Sequence, residues 1–142
     1  MQILKTRAEL DSYREAAMSA LEAQKRKLLV CAGTGCVAGG SLKIYERLSE
    51  LMKEKGLPYS VELQLEAHDE TVGLKRCGCH GFCEMGPLVR VERHGDGSRH
   101  SGDGILYTRV KPADVEEIVA RTVLRGQVVE RLLYRHPVTG QV

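Results

Sequence analysis

The chain has 142 residues, of which 42% are hydrophobic and 28% charged, a composition typical of one globular domain with a single core. Its net charge of only +2, one phenylalanine and no tryptophan give no general attraction to nucleic acid and no aromatic platform for single strands. The longest uncharged apolar run, LLVCAGTGCVAGG, is too short and too rich in glycine to span a bilayer.

The first elements predicted from the N-terminus are a helix and a buried strand. TRAEL places Thr6 three residues before Glu9, which is a capping-box pattern, and apolar residues then recur at helical spacing to about residue 24. This segment carries no signal-peptide pattern, so we expect a cytoplasmic protein whose cysteines are reduced. KLLVC (27–31) is a short apolar run that predicts a buried strand ending in a cysteine.

A glycine-rich loop over residues 32–40 separates this strand from a second helix. Helical periodicity covers residues 41–55, and Gly56 and Pro58 indicate where the helix ends. YSVELQLEA (59–67) alternates apolar and polar residues, which predicts a strand with one solvated face. The resulting β-α-β order is that of a right-handed parallel crossover.

The second half of the chain contains a cysteine loop, two strands and a last helix. The loop is predicted at about 70–87, and strands LVRVER (88–93) and ILYTRV (105–110) flank a polar hairpin connection. The last helix is predicted over 111–126, and the tail 127–142 shows no packed element. These elements predict an α/β protein with a thioredoxin-like fold, in which helices flank a central mixed sheet of about four strands.

The chemistry of the chain is concentrated in its five cysteines, four of which form two close pairs. Four residues separate Cys31 from Cys36, and three separate Cys79 from Cys83. Both pairs are predicted in loops that directly follow strands, where backbone turns can direct the thiolates to one point. The glycines of these loops allow tight turns and bring backbone N–H groups towards sulfur.

Spacing alone leaves three interpretations of these cysteines open. Two pairs of thiolates suit tetrahedral zinc, whose paired ligands often lie about two to four residues apart. The same pairs suit an iron–sulfur cluster. Thiol redox chemistry at Cys77 or Cys79 is the third interpretation, although the usual Cys-x-x-Cys at a helix start is absent because Cys31 and Cys36 are too far apart.

The sequences around both pairs resemble those of the thioredoxin-like [2Fe–2S] ferredoxins. CAGTGCVAGG is similar to their first cysteine pair, GCHGFCEMGPLVRV to their second, and GILYTRVKPADVEEIV to the strand-to-helix passage that follows. The resemblance implies one [2Fe–2S] cluster that passes single electrons and is held by four cysteines: Cys31, Cys36, Cys79 and Cys83. Cys77 falls outside the family pattern and is the surplus thiol, close enough to substitute for Cys79.

The phrase GQVVERLLYRHPVTGQ resembles the linker that leaves this domain in the NADH-oxidising flavoprotein (beta) subunit of multimeric, often electron-bifurcating, [FeFe]-hydrogenases and related formate dehydrogenases. These subunits are similar to the NADH-binding subunit of complex I. The resemblance implies an N-terminal helix (1–26), a ferredoxin domain (27–126) and a linker (127–142) towards a flavin- and NAD-binding domain outside this chain. FMN, NAD(P) and [4Fe–4S] clusters, and any catalytic site, are expected only in that remainder.

The resemblance also implies the partners, which are other subunits or domains of a multimeric oxidoreductase, with a ferredoxin or a second copy of the chain as further candidates. Neither nucleic acid nor membrane insertion is expected.

Several other residues near the cysteines or in the loops also have an interpretation. His80 is interpreted as a polar loop residue near the cluster, and Phe82 as a shield against water or as loop packing. Lys75 and Arg76 are interpreted as a solvated loop pair or as steering for an acidic electron partner. Three other histidines are interpreted as solvated loop residues: His68, His94 and His100.

Overall fold

The fold is known from a computed structural model that describes residues 5–22, 26–57, 59–60, 72–93 and 104–141. The helices are α1 (Arg7–Glu22), α2 (Thr34–Ala38), α3 (Ser41–Glu54) and α4 (Val115–Glu117), which continues as a π-helix over Ile118–Leu124. The strands are β1 (Arg26–Cys31), β2 (Tyr59–Ser60), β3 (Val72–Cys77), β4 (Val89–Arg93) and β5 (Gly104–Tyr107). Within these ranges, no helix combines the length and the hydrophobicity that crossing a bilayer requires.

The five strands form one mixed sheet in the order β2-β3-β1-β4-β5. β1 pairs in parallel with β3 and antiparallel with β4, while β2 joins β3 in parallel and β5 joins β4 antiparallel. β1 is therefore the central strand, and its last residue, Cys31, is paired with Cys77 at the end of β3. The predicted mixed sheet is confirmed, with five strands instead of about four.

The strand β3 lies where the sequence predicted the beginning of the cysteine loop. Its adjacent charged residues, Lys75 and Arg76, favoured a loop, but β3 pairs with β1 along its whole length, and this pairing supplies the backbone hydrogen bonds of a strand. Both residues are thus on a strand and not in a loop. The Arg76 guanidinium lies 5.6 Å from the centroid of the Tyr45 ring, which gives it a cation–π contact.

Two predicted segments are described only in part. Of the strand predicted over 59–67, the first two residues form β2, and residues 61–67 lie outside the described residues. Residues 94–103 of the hairpin connection also lie outside them.

The core is formed by the sheet, α3 and the helix that begins with α4. The buried apolar side chains of these elements make one cluster: Leu28, Val30, Ile44, Leu48, Leu51, Met52, Leu74, Val89, Val91, Tyr107, Val115, Ile118, Val119 and Val123. α1 is different, because both Leu10 and Tyr13 are about half exposed. The predicted capping box begins α1: the Glu9 N–H donates to Thr6 Oγ1 at 3.2 Å, and the Thr6 N–H donates to Glu9 Oε2 at 3.1 Å.

The tail packs against the edge strand β5, so the expectation that it holds no packed element is wrong for residues 128–134. Val129 and Leu132 are buried in the core. The N–H of Thr108 donates to the carbonyl of Leu132 at 2.8 Å, and the N–H of Tyr134 donates to the carbonyl of Leu106 at 2.9 Å. The segment is held by these backbone hydrogen bonds and by apolar packing, in which Val128 and Leu133 lie partly buried beside Val129 and Leu132.

Tyr107 connects the tail to the last helix inside the core. Its buried hydroxyl lies 2.6 Å from Thr122 Oγ1 and accepts a hydrogen bond from the Val129 N–H at 3.1 Å. Tyr107→Phe leaves these two buried groups without their partner, so we expect the free energy of unfolding to fall by about 1–3 kcal/mol, with a lower thermal midpoint in circular dichroism. Tyr13→Phe on the exposed α1 is the control and should change it by less than about 0.5 kcal/mol. Equal losses in both variants would contradict this role of the Tyr107 hydroxyl.

Candidate metal centre

Four cysteines meet at the ends of the two central parallel strands. Cys31 is the last residue of β1, and Cys79 follows β3 by two residues. Cys83 begins a short 3-10 turn, and its sulfur lies 3.7 Å from that of Cys79. Cys36 and Cys79 both affect the pKa of Cys31, and Cys83 affects that of Cys36, so the four thiols are close neighbours. The structure therefore brings the four predicted ligands together.

Cys36 lies in the middle of α2 and not in a loop, which corrects the prediction for this residue. The N–H of Val37 donates to the carbonyl of Gly33 at 2.9 Å, and the N–H of Gly39 donates to the carbonyl of Gly35 at 3.0 Å. The turn is helical although Gly35 within it lowers helix propensity. It returns Cys36 towards Cys31.

The two halves of the site differ in exposure. Cys31 and Cys36 are buried, with 0% and 1% of their surface exposed, and Leu88 packs beside them. Cys79 and Cys83 are exposed. The site therefore has one side anchored in the core and one side at the surface, where electrons can be exchanged with another molecule.

Glycines allow the loops of the site to approach each other closely. A Cβ atom at Gly33 would lie 2.9 Å from Cys79 Cβ, and one at Gly86 would lie 2.7 Å from Cys36 Sγ. Both distances are shorter than non-bonded carbon and sulfur atoms tolerate. Gly81 has a φ of +82°, and its N–H donates to Cys79 Sγ at 3.3 Å, as the sequence predicted for the glycines of this loop.

The protonation of the thiols depends on burial and on neighbouring hydrogen bonds. Burial, followed by the hydrogen bond with Cys31, raises the pKa of Cys36 to about 11. At Cys31 burial opposes ionisation, but the backbone N–H groups of Gly33 and His80 stabilise the thiolate and bring its pKa below the ordinary value. The hydrogen bond with Cys79 raises the pKa of Cys83. Such thiols ionise together only when a bound cation supplies positive charge.

The donor set fits a cluster of two irons. Each iron of a [2Fe–2S] cluster takes two protein thiolates, and this site offers two pairs of cysteines. The glycines that face Cys79 and Cys36 allow the loops carrying the two pairs to come this close, since a side chain at either glycine would clash with a cysteine.

The fifth cysteine, Cys77, contacts a histidine. Its sulfur lies 3.1 Å from His80 Nε2, and burial raises its pKa. The His80 side chain therefore contacts the surplus thiol, in agreement with its interpretation as a polar neighbour.

Phe82 is 43% exposed and packs against Tyr134, with ring centroids 5.3 Å apart. Nothing in the tail sequence indicated this contact. His68, His94 and His100 lie outside the described residues.

Comparisons with known proteins agree with this site. A family model described as thioredoxin-like [2Fe–2S] ferredoxin matches residues 16–122. A 2Fe-2S ferredoxin of Aquifex aeolicus is 43% identical over 56 residues, which are 39% of this chain and 42% of that protein, so the match spans less than half of that relative. A 2Fe-2S ferredoxin of Clostridium pasteurianum is 30% identical over 97 residues, or 68% of this chain and 76% of that protein.

A solved structure shows the same fold. The 1.5 Å crystal structure of the wild-type thioredoxin-like [2Fe-2S] ferredoxin from Aquifex aeolicus matches with a TM-score of 0.57 at 27% identity, covering 80% of this chain and 99% of that one. The predicted fold class and the predicted [2Fe–2S] cofactor are thereby confirmed, as is electron transfer as the general function. Since the family match covers most of its length, the chain belongs to the thioredoxin-like [2Fe–2S] ferredoxin family.

Proposed function

We propose that this chain relays single electrons through one [2Fe–2S] cluster within an NAD(P)H-dependent hydrogenase or formate dehydrogenase complex. The observation that carries the relay is the meeting of two cysteine pairs at one site, with one pair buried and the other exposed. The proposed ligands are the four cysteines of that site: Cys31, Cys36, Cys79 and Cys83. When bound, the cluster supplies one-electron oxidation and reduction.

The residues of the chain hold and tune this group. The buried pair excludes water from one side, and the backbone N–H groups of Gly33, His80 and Gly81 donate to the sulfurs of Cys31 and Cys79. Hydrogen bonds to ligand sulfur stabilise added negative charge and so raise the reduction potential. The relay moves electrons without making or breaking a bond in any substrate, so it requires no catalytic residue.

The parent complex is proposed from the sequence. Support comes from GQVVERLLYRHPVTGQ, which resembles the linker of the NADH-oxidising subunit of such complexes. The proposed partners are therefore the other subunits or domains of a cytoplasmic oxidoreductase, and the flavin and nicotinamide sites belong to them. Residues 135–142 are the proposed connection, since residues 128–134 pack against β5.

The relay is tested by the visible spectrum of anaerobically purified protein before and after dithionite, with iron, zinc and acid-labile sulfide measured on the same sample. We expect broad bands that bleach on reduction, and about two irons and two sulfides per chain. NADH alone should leave the spectrum unchanged. A colourless protein with one zinc and no sulfide would refute the relay and leave a zinc-stabilised module. A colourless, metal-free protein with reactive thiols would identify a thiol redox protein. Bleaching by NADH alone would contradict the placement of the nicotinamide site elsewhere.

A further inference from the structure

Three exposed cationic residues lie on elements next to the exposed cysteine pair. Arg109 and Lys111 follow β5, and Arg135 follows the packed part of the tail. None of the three is in an ion pair within the part of the chain that the structure describes. Arg131 is different, because Asp114 and Glu117 hold its guanidinium. The charges of the three are therefore not neutralised by a described side chain.

Backbone hydrogen bonds place Arg109 beside the loop of the second cysteine pair. The N–H of Arg109 donates to the carbonyl of Met85 at 2.8 Å, and the N–H of Val110 donates to that of Pro87 at 3.1 Å. Gly86, between these two acceptors, is so close to Cys36 that a Cβ atom there would lie 2.7 Å from its sulfur. Residues 109–110 are thus separated from the metal centre by one layer of backbone.

The conformation of Arg109 is sterically unfavourable. Its φ is +51°, and among the described residues other than glycine it alone has a positive φ. Glycine adopts this conformation without the clash between Cβ and the backbone that an arginine suffers. A long cationic side chain at a strained position beside a metal centre is the kind of outlier from which a functional role is inferred.

An aromatic pair joins the loop of the exposed cysteines to the tail that carries Arg135. Phe82 stands between Cys79 and Cys83 in the sequence, and its ring packs on Tyr134, the residue before Arg135. This loop also carries one exposed acidic residue, Glu84, and the three cationic residues outnumber it. An apolar centre with a charged border is the usual anatomy of a protein interface.

We propose that Phe82 and Tyr134, bordered by Arg109, Lys111 and Arg135, form the docking face for a redox protein whose own electron-exchange surface is acidic. The inference rests on the proposed relay and names the chemistry of its partner. One electron passes between the two proteins, so that one is oxidised and the other reduced, and no proton or bond is transferred. Complementary charges raise the encounter rate and orient the two surfaces.

Two one-electron oxidants of opposite charge measure the electrostatic potential at the proposed docking face. Dithionite-reduced protein, freed of reductant, is mixed anaerobically in a stopped-flow instrument with the cobalt(III)–EDTA anion or with the hexaamminecobalt(III) cation, each of which becomes cobalt(II). At low ionic strength, Arg109→Gln should lower the second-order rate constant of the anion about two- to fivefold and raise that of the cation. The triple variant Arg109→Gln, Lys111→Gln, Arg135→Gln should show larger changes. Salt at about 1 M should remove the differences, because the screening length is then only about 3 Å.

Lys55→Gln is the matched control, since it removes the same charge at the far end of α3, a helix of 14 residues that begins near Cys36 and is about 20 Å long. It should leave both rate constants unchanged. Arg109→Lys should keep the wild-type rates. If Arg109→Gln loses the visible bands, the docking face is tested with Arg135→Gln instead, because the backbone at Arg135 is unstrained. The same two oxidants are used.

Three further outcomes bear on this inference and on the relay itself. Rates that are unaltered in variants with wild-type spectra, or that change equally in Lys55→Gln, overturn the docking face and leave the relay intact. A wild-type protein that carries no cluster overturns both. A rate constant with the cation that falls when the arginines are removed contradicts a positive potential at this face and also overturns the proposal.

Discussion

Cys36→Ala is expected to remove the visible absorption of the protein and to lower its bound iron by more than about tenfold. Cys36 is 1% exposed and interacts with Cys31, so no water or neighbouring side chain can replace its sulfur without rearranging α2. The loss of one thiolate leaves one iron with an incomplete set of ligands. Iron and sulfide per chain, together with the thermal midpoint in circular dichroism, measure the effect.

Cys77→Ala is the matched control for this variant. Cys77 is opposite Cys31 in the sheet, but its sulfur contacts His80, and it is the one cysteine outside the proposed ligand set. We expect wild-type iron content and an unchanged spectrum. If Cys77→Ala lost the cluster while Cys79→Ala retained it, Cys77 would be the ligand and the proposed set would be wrong.

Gly33→Ala is expected to impair cluster assembly through sterics alone. The added Cβ would lie 2.9 Å from Cys79 Cβ and 3.3 Å from its Cα, and backbone atoms cannot move aside as a flexible side chain can. Overpacking of this kind destabilises by about 1–3 kcal/mol, and here it separates the two loops that carry the cysteine pairs. We expect reduced iron per chain and a lower thermal midpoint.

Gly78→Ala is the control for Gly33→Ala. Gly78 lies in the opposing loop and does not have a positive φ, and a methyl group added there would meet no atom within 4 Å beyond its chain neighbours. Iron content and thermal midpoint should stay at wild-type values. Equal losses in the two variants would show that any methyl group in these loops is harmful, and the close approach of Gly33 to Cys79 would no longer explain the result.

The parts of the fold that could be predicted are those with a strong local pattern. The helix over 41–55 has an apolar stripe that packs on the sheet, and it was found as α3, Ser41–Glu54. The capping box of Thr6 and Glu9 was also confirmed. The cysteine pairs could be recognised because their residue types and their glycines are unusual in any other setting.

The parts that could not be predicted depend on contacts between distant segments. β3 looks polar in the sequence, and it becomes a strand because β1 lies beside it. α2 contains Gly35 and lies between Gly33 and Gly39, a composition that argues against a helix, and its hydrogen bonds form where the chain turns back towards Cys31. The contact of Tyr134 with Phe82 joins residues 52 positions apart, and no local pattern encodes such a pair.

The packed tail affects whether the domain can stand alone without self-association. β5 is the outer strand of the sheet, and unpaired backbone groups on an outer strand invite another chain to add to it. Tyr134 and Leu133 occupy positions along that edge, through the carbonyl of Leu106 and the bridge to Tyr107. A truncation after Gly126, where the helical pattern ends, would uncover the edge and favour self-association. We therefore expect the unit that can be transplanted into another protein to extend to residue 134.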